Sequence, residues 1–167
     1  GQLILLVVIL GQVGLILMRY LENGGFKAPV MSRVHKLENG FRDAVREIER
    51  NHDVNSVESW VELGEIYTTF ALMPEAEYCF RRALEVGTLN LTQQFKFGIC
   101  LSRRGKLESA IKILKPVGAS NDTLASHANL QIGLDYLRLE DRTNAEIYLR
   151  QTKNDEIADF ALARLLI

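Results

Sequence analysis

The feature that most constrains the fold is a recurrence of small residues at intervals of 34 and 35 positions. Two sets of residues share these intervals: Gly64, Gly98 and Gly133, and Ala76, Ala110 and Ala145. A small side chain lets two helices approach closely, and a period of this length is typical of stacked helical units. The sequence therefore predicts an all-α fold built from repeated helix pairs.

The first unit carries a longer pattern around its glycine. Trp60, Leu63, Gly64 and Tyr67 have the spacing W-x2-L-G-x2-Y, and Ala76, Phe80 and Ala83 follow at 16, 20 and 23 residues after the tryptophan. This pattern resembles the tetratricopeptide repeat (TPR), a helix-turn-helix unit of about 34 residues. The resemblance implies a small right-handed α-solenoid of about three units with flanking helices.

The TPR domain is predicted over 54–167. Its units are predicted at 57–90, 91–125 and 126–159, followed by a partial or capping helix at 160–167. The sequence departs from the repeat pattern where Gln94 and Asn129 replace the tryptophan. Pro116 falls late in the second helix of the second unit and should end that helix early.

An apolar segment precedes the repeats. Residues 2–21 are predominantly apolar, with no charge between Leu3 and Met18. About 20 residues are needed for a helix to cross the hydrocarbon core of a bilayer. A secretory signal peptide usually has a shorter apolar region and a small-x-small cleavage site, which is not evident here. A buried helix of a soluble protein would rarely be aliphatic on all sides. Segment 1–21 is therefore predicted to be a single-pass transmembrane anchor in the lipid bilayer.

Three residues of the anchor predict contact with another membrane helix: Gly11, Gln12 and Gly14. Small residues permit close approach, and an amide in lipid favours a hydrogen-bonding partner. Basic residues outnumber acidic ones just after the anchor. This excess favours a cytoplasmic position for the TPR domain.

Two segments connect the anchor to the repeats. Residues 22–31 contain Asn-Gly-Gly and Pro29 and are predicted to form a linker. Residues 32–53 have apolar side chains at intervals of three and four. This spacing predicts an amphipathic helix that packs on the following units.

Composition and motifs argue against several functions. There are 20 Lys and Arg against 21 Asp and Glu, so binding of nucleic acid by bulk charge is not expected. The two cysteines are too few for a disulfide scaffold or a cysteine zinc site. The histidines, His35, His52 and His127, are scattered and are expected on helix surfaces or in linkers. Without a recognisable catalytic motif, we expect no enzyme activity, no cofactor, no metal and no small-molecule substrate.

The resemblance implies that ligands lie along the concave surface formed by the first helix of each unit. The candidate groove residues are Glu58, Val61, Glu62, Glu65, Phe95, Lys96, Ile99, Arg103, His127, Leu130, Leu134 and Arg138. This set is acidic at one end, apolar in the middle and basic at the other end, and it suits an amphipathic helix or an extended segment of a protein partner. The residues of the TPR carboxylate clamp are not matched, because Val61 and Glu65 stand where that clamp needs lysine and asparagine.

The sequence thus predicts a membrane-anchored TPR adaptor or assembly scaffold that binds a protein partner. The alternative is a stoichiometric accessory subunit of a large membrane complex, for example photosynthetic, respiratory or secretory. In that case the neighbouring subunits would cover the anchor and the 160–167 end. A fragment of an enzyme whose catalytic domain lies outside these residues is a third interpretation, which nothing within the chain supports.

Overall fold

The computed structural model describes residues 39–152 and 155–165, and all regular structure in these two ranges is helical. The helices are α1 (Asn39–Asn51), α2 (Val57–Thr69), α3 (Met73–Val86), α4 (Leu91–Arg103), α5 (Leu107–Gly118), α6 (Ala125–Arg138), α7 (Arg142–Leu149) and α8 (Glu156–Leu165). Helix α1 is the described part of the helix predicted over 32–53. The all-α prediction is confirmed for this part of the chain.

The predicted anchor at 1–21 and the predicted linker at 22–31 lie outside the described residues, as do Gly11, Gln12 and Gly14. None of the helices α1 to α8 is both long enough and apolar enough to span a bilayer. The anchor and its contact residues therefore stay predictions.

The helices from α2 onward pack as successive antiparallel pairs. Helix α2 pairs with α3, α4 with α5, and α6 with α7, and each pair also contacts the next. The first helices of neighbouring pairs touch one another, α2 against α4 and α4 against α6. This is the TPR-like helical repeat that the sequence pattern predicted, and it places α2, α4 and α6 side by side on one surface.

The glycines of the repeat lie where the two helices of each pair come closest. A Cβ atom on Gly64 would lie 3.2 Å from Phe80 Cε2. One on Gly98 would lie 2.5 Å from Leu114 Cδ2, and one on Gly133 would lie 2.6 Å from Leu149 Cγ. The recurring alanines are completely buried: Ala76, Ala110 and Ala145. The close approach that the small residues predicted is confirmed in each pair.

Local signals in the sequence explain several helix starts. The side chain of Ser56 caps α2 by accepting a hydrogen bond from the Ser59 amide. Asn90 and Gln93 form a reciprocal capping box at the start of α4, with both hydrogen bonds at 2.9 Å. Asp141 accepts from the Asn144 amide at 3.1 Å and begins α7. Such caps satisfy amides that a helix leaves unpaired.

The turn between the two helices of each pair contains one left-handed residue. These residues occupy equivalent positions in the three units: Ala71 (φ 57°), Gly105 (φ 75°) and Glu140 (φ 62°). Glycine adopts this conformation freely, whereas a residue with a Cβ is strained there by about 1–2 kcal/mol. Two of the three turns therefore carry backbone strain.

Two helix boundaries differ from the sequence prediction. Helix α8 begins at Glu156 and not at Phe160, because Asp155 Oδ1 accepts hydrogen bonds from the Ile157 and Ala158 amides and caps an earlier start. Helix α5 continues through Pro116 to Gly118. The last turn is retained because Val117 is fully buried.

The apolar core of the described helices is divided into three clusters. The largest joins the first unit to α1 and α4 and includes Trp60 and Phe80. The second lies between α5 and α6 and includes Leu114 and Ile132. The third has only three buried members, Leu149, Ala158 and Ala161, and holds α8 against α7.

A cluster of ion pairs ties the first unit to the second. Glu77 of α3 is buried, and its Oε1 accepts hydrogen bonds from Arg81 Nε at 2.8 Å and Lys106 Nζ at 2.6 Å. Arg104 Nε lies 3.0 Å from Oε2. Burial alone would raise the pKa of Glu77, but the bonds from Lys106 and Arg81 outweigh it and lower the pKa. The carboxylate is therefore charged and stabilises the junction.

His52 is not on the surface, contrary to the expectation from sequence. It follows α1 and is almost completely buried, and its ring meets the Trp60 ring edge-on at a centroid distance of 4.5 Å. Burial lowers the pKa of His52, and the nearby charge of Asp53 only partly offsets this effect. The histidine is thus a neutral core residue that joins α1 to α2.

Candidate protein-binding surface

The predicted groove residues differ widely in exposure. The exposed ones are Glu58, Glu62, Arg103, His127 and Arg138. The half-buried ones are Glu65, Phe95, Lys96, Ile99, Leu130 and Leu134. The remaining member, Val61, is only 4% exposed and belongs to the largest core cluster.

Five of these residues meet at one depression between α2 and α4, which we call the α2–α4 pocket. It has a volume of about 270 Å³ and is lined by Glu65, Thr68, Thr69, Phe80, Phe95, Lys96, Ile99 and Arg103. The floor is apolar and rigid, because Phe80 is fully buried and stacks on Phe97 with a centroid distance of 5.4 Å. The pocket is open to solvent, so a side chain of another molecule can enter it.

The rim of the α2–α4 pocket carries charge. Lys96 Nζ lies 2.5 Å from Glu65 Oε1, which joins the first helices of two neighbouring units. Arg103 is exposed and forms no ion pair with any residue in the described ranges. Since the Lys96 charge is already neutralised, Arg103 is the positive charge available to a ligand at this rim.

A polar cluster fills the contact between α4 and α6, and we call it the polar seam. Its members are Ser102, Gln131, Asp135 and Arg138. Asp135 is completely buried, and its Oδ1 accepts hydrogen bonds from Ser102 Oγ at 2.6 Å and Gln131 Nε2 at 3.0 Å. Arg138 donates to the Ser102 carbonyl at 3.0 Å, and about half of its side chain remains exposed. The contact between α4 and α6 is thus polar at the seam, in contrast to the apolar floor of the α2–α4 pocket.

Burial has an electrostatic consequence at the seam. It raises the pKa of Asp135, although the bonds from Ser102 and Gln131 act in the opposite direction. The second carboxylate oxygen, Oδ2, has no hydrogen-bond partner among the described residues. Only Arg138 of this cluster was predicted from the sequence. The missed signal is a carboxylate at the repeat position that Ile66 and Cys100 occupy in the preceding units.

A second and larger depression lies between α6 and α8, which we call the α6–α8 pocket. Its volume is about 740 Å³, and it is lined by Leu134, Leu137, Glu140, Arg142, Ile157, Phe160, Ala161, Arg164 and Leu165. Ile157 and Phe160 are 58% and 65% exposed and lie about one turn apart on α8. Adjoining exposed apolar side chains are typical of interaction sites, whereas single ones are not. Of this set, only Leu134 was among the predicted groove residues.

The other predicted residues lie apart from the two pockets. Val61 packs in the core instead of facing a ligand, because its position in the repeat meets the buried side of α2. Leu130 packs against the third core cluster. Glu58 accepts a hydrogen bond from Ser56 Oγ at 3.1 Å near the start of α2. Glu62 lines a depression of about 330 Å³ between α1 and α2, and His127 is exposed near the start of α6.

The described residues offer few groups for metal or thiol chemistry. Within 39–152 and 155–165, no group of three or more His, Cys, Asp or Glu side chains is placed to hold a metal ion. Cys79 and Cys100 are free and buried. Burial raises the pKa of the Cys79 thiol and raises that of Cys100 to about 11. Both thiols are therefore protonated near neutral pH and poorly nucleophilic.

Comparison with known proteins gives a structural likeness to a helical-repeat protein. No protein-family model matches the chain, and no curated protein matches it. Among solved structures, the chain is similar to YrrB, described as a TPR protein with an unusual peptide-binding site. The identity is 20%, the alignment covers 80% of this chain and 87% of that chain, and the TM-score is 0.39. The peptide-binding site in that description is a property of YrrB.

Proposed function

We propose that this protein is a membrane-anchored scaffold that holds a segment of a protein partner on the surface formed by α2, α4 and α6. The observation that carries the proposal is the α2–α4 pocket. It combines an apolar floor at Phe80, Phe95 and Ile99 with the positive charge of Arg103, which has no ion-pair partner among the residues that the structure describes. Such a pocket recognises one apolar side chain next to an acidic group.

The size of the pocket supports a side chain as its occupant. Small-molecule sites usually have volumes of about 300–1,000 Å³ and enclose most of their ligand. The α2–α4 pocket is slightly smaller, at about 270 Å³, and is open. Burial of one large apolar side chain contributes about 1.5–3 kcal/mol. A single contact of this size is weak, so further contacts or a high local concentration are needed for stable association.

The predicted anchor would supply that concentration. In our proposal, residues 2–21 hold the protein in a membrane, and the TPR domain lies on the cytoplasmic side. Confinement beside a membrane-bound partner raises the effective concentration, which can increase apparent affinity about 10²–10⁴-fold without any new contact. A modest groove can then be occupied. The scaffold itself is proposed to carry out no chemical reaction.

Site-specific crosslinking tests the groove. A photoreactive amino acid placed at Thr69, an exposed residue of the pocket rim, should crosslink to a protein partner in intact cells. The matched control is the same amino acid at Ile147, which is 48% exposed on α7 and lies outside both pockets. The Thr69 crosslink should disappear when Arg103 is replaced by glutamate. Equal crosslinking at the two positions, or no effect of Arg103→Glu, would refute the groove assignment.

A separate experiment tests the anchor. The full chain should remain in the membrane pellet after alkaline carbonate extraction, and a variant lacking residues 1–21 should be released. A protease added to the cytoplasmic side should digest the TPR domain. Release of the full chain by carbonate would refute the anchor without affecting the groove.

The accessory-subunit alternative is favoured by one observation, the exposed apolar side chains Ile157 and Phe160 on α8. A stoichiometric subunit would bury them against a neighbour. Purification from membranes in mild detergent distinguishes the two functions. A constant set of co-purifying subunits supports the accessory role, whereas a chain that purifies alone supports the reversible scaffold.

A further inference from the structure

We infer that the partner segment is extended and carries two large apolar side chains, one for the α2–α4 pocket and one for the α6–α8 pocket. The inference rests on the proposed function and specifies the chemistry of the partner. Its basis is that the two pockets are equivalent depressions of the repeat, separated by the polar seam. The partner is thus recognised at two points and not along one continuous apolar stripe.

The two pockets open on the same surface. Leu134 and Leu137 line the α6–α8 pocket, and they occupy the repeat positions that Glu65 and Thr68 have two units earlier in the α2–α4 pocket. The first helices of successive units lie side by side. Equivalent positions on these helices therefore face the same side of the stack.

The distance between the pockets sets the spacing of the two side chains. Helices α4 and α6 separate the two pockets. Packed helices have axes about 8–10 Å apart, so two such steps amount to about 16–20 Å. An extended chain advances about 3.3 Å per residue and covers this distance in about five or six residues. The two apolar side chains are therefore about six positions apart.

The polar seam favours an extended segment over a helix. The residues between the two apolar side chains lie over Gln131 and Arg138, the accessible polar members of the seam. An extended main chain has amide and carbonyl groups that need partners, whereas a helix pairs them internally. Arg138, whose side chain is about half exposed, can donate hydrogen bonds to the carbonyl groups of such a segment.

Charge defines the residues between the two apolar side chains. Arg103, at the first pocket, forms no ion pair within the described part of the chain, whereas Arg138 at the seam lies 3.4 Å from Asp135 Oδ1 and is paired with it. Arg142 and Arg164 line the second pocket, where Glu140 is the acidic member. Apart from the Arg138–Asp135 pair, the charges of Arg103, Arg142 and Arg164 outweigh that of Glu140 along this path. The intervening residues of the partner are therefore acidic.

Synthetic peptides test the inference directly. The full chain in mild detergent is titrated against fluorescent peptides with two leucines about three, six or nine positions apart, or with one leucine, always with glutamates between. The spacing of about six should bind at least about tenfold more tightly than the single-leucine peptide. Replacing the intervening glutamates by lysines should weaken binding about fivefold or more.

Variants assign the second contact to α8. Phe160→Glu should reduce the affinity for the best peptide to that of the single-leucine peptide. Ile147→Glu, the same kind of change at an exposed apolar residue of α7, should leave it unchanged. Both side chains are exposed, so both variants should fold, which circular dichroism verifies. Sedimentation of the wild type and of Phe160→Glu shows whether the protein associates through α8.

The outcomes separate this inference from the proposed function. If peptides bind but their affinity is independent of leucine spacing or of Phe160→Glu, the two-point inference is wrong and the scaffold proposal stands. If no peptide binds, the two-point inference is wrong, and the scaffold proposal is decided separately by the Thr69 crosslink in intact cells. If the wild type is a dimer that Phe160→Glu converts to a monomer, a second copy fills the α6–α8 pocket and the inference is overturned.

Discussion

Replacing the repeat glycines by alanine should change stability in an order that the packing distances set. Alanine favours an interior helix position by about 1 kcal/mol relative to glycine. A Cβ at Gly64 would be tight, at 3.2 Å from Phe80 Cε2, which costs a few tenths of a kcal/mol to about 1 kcal/mol. The two effects nearly cancel, so Gly64→Ala should be close to neutral.

The same change at Gly98 should be destabilising. Its Cβ would lie 2.5 Å from Leu114 Cδ2, and Leu114 is completely buried and cannot move freely. Overpacking of this kind costs about 1–3 kcal/mol, and the severity of the overlap favours the upper end. When the gain of about 1 kcal/mol in helix propensity is subtracted from the overpacking cost, Gly98→Ala should destabilise the protein by about 1–2 kcal/mol. Gly133→Ala should cost at least as much, because the Leu149 backbone nitrogen also lies 3.2 Å from its Cβ.

Equilibrium unfolding in urea, followed by circular dichroism in one mild detergent, measures these differences. Gly40→Ala is the matched control, because no atom of the described residues lies within 4 Å of a Cβ at that position of α1, so the change in helix propensity is the expected effect. A second control uses Leu114→Ala as the background. In that background Gly98→Ala should no longer destabilise, since the overlapping side chain is gone. A cost of Gly98→Ala that persists there, or its absence in the wild type, would refute the packing argument.

Three further predictions concern backbone strain and titration. Ala71→Gly and Glu140→Gly should each stabilise by about 0.5–1 kcal/mol in the same urea assay, because release of left-handed strain exceeds the added chain entropy. Glu77→Gln should destabilise by about 1–3 kcal/mol at neutral pH. Because the folded-state pKa of Glu77 is lowered, that difference should shrink as pH falls below its ordinary value of 4.5 and disappear only below the lowered folded-state pKa, which unfolding midpoints at several pH values will show. Since the folded-state pKa of His52 is lowered from 6.5, the unfolded state takes up a proton first as pH falls through that value. Stability should therefore decline from pH about 7.5 to about 5.5, and His52→Gln should flatten this slope in thermal melts.

The repeat could be predicted from sequence because its signal is steric and periodic. A glycine or alanine is required wherever two helices nearly touch, so Gly98 and Gly133 reveal the pairs even where the tryptophan is missing. The residues at which helices begin and end were harder to predict than the helix pairs. The start of α8 depends on a cap by Asp155, an acidic residue in a polar stretch where several positions could have begun a helix.

The candidate surface could be predicted only in part. Repeat register gives the face on which a side chain lies but not its depth, so Val61 and Leu130 were assigned to a groove although they pack against core clusters. Asp135 and His52 were missed for a different reason. Polar residues are usually exposed, and burial of these two depends on partners from other helices, which a single sequence does not show.

The division of the core into three clusters gives the stack a gradient of local stability. Helix α8 is held by one fully buried leucine, two buried alanines and a set of half-buried leucines, so it can detach while the first unit, with its aromatic core, remains folded. Its amides would then exchange with solvent faster than those of α2 and α3. A ligand can bind in the α6–α8 pocket only while α8 is attached. Binding would therefore slow amide hydrogen exchange in α8.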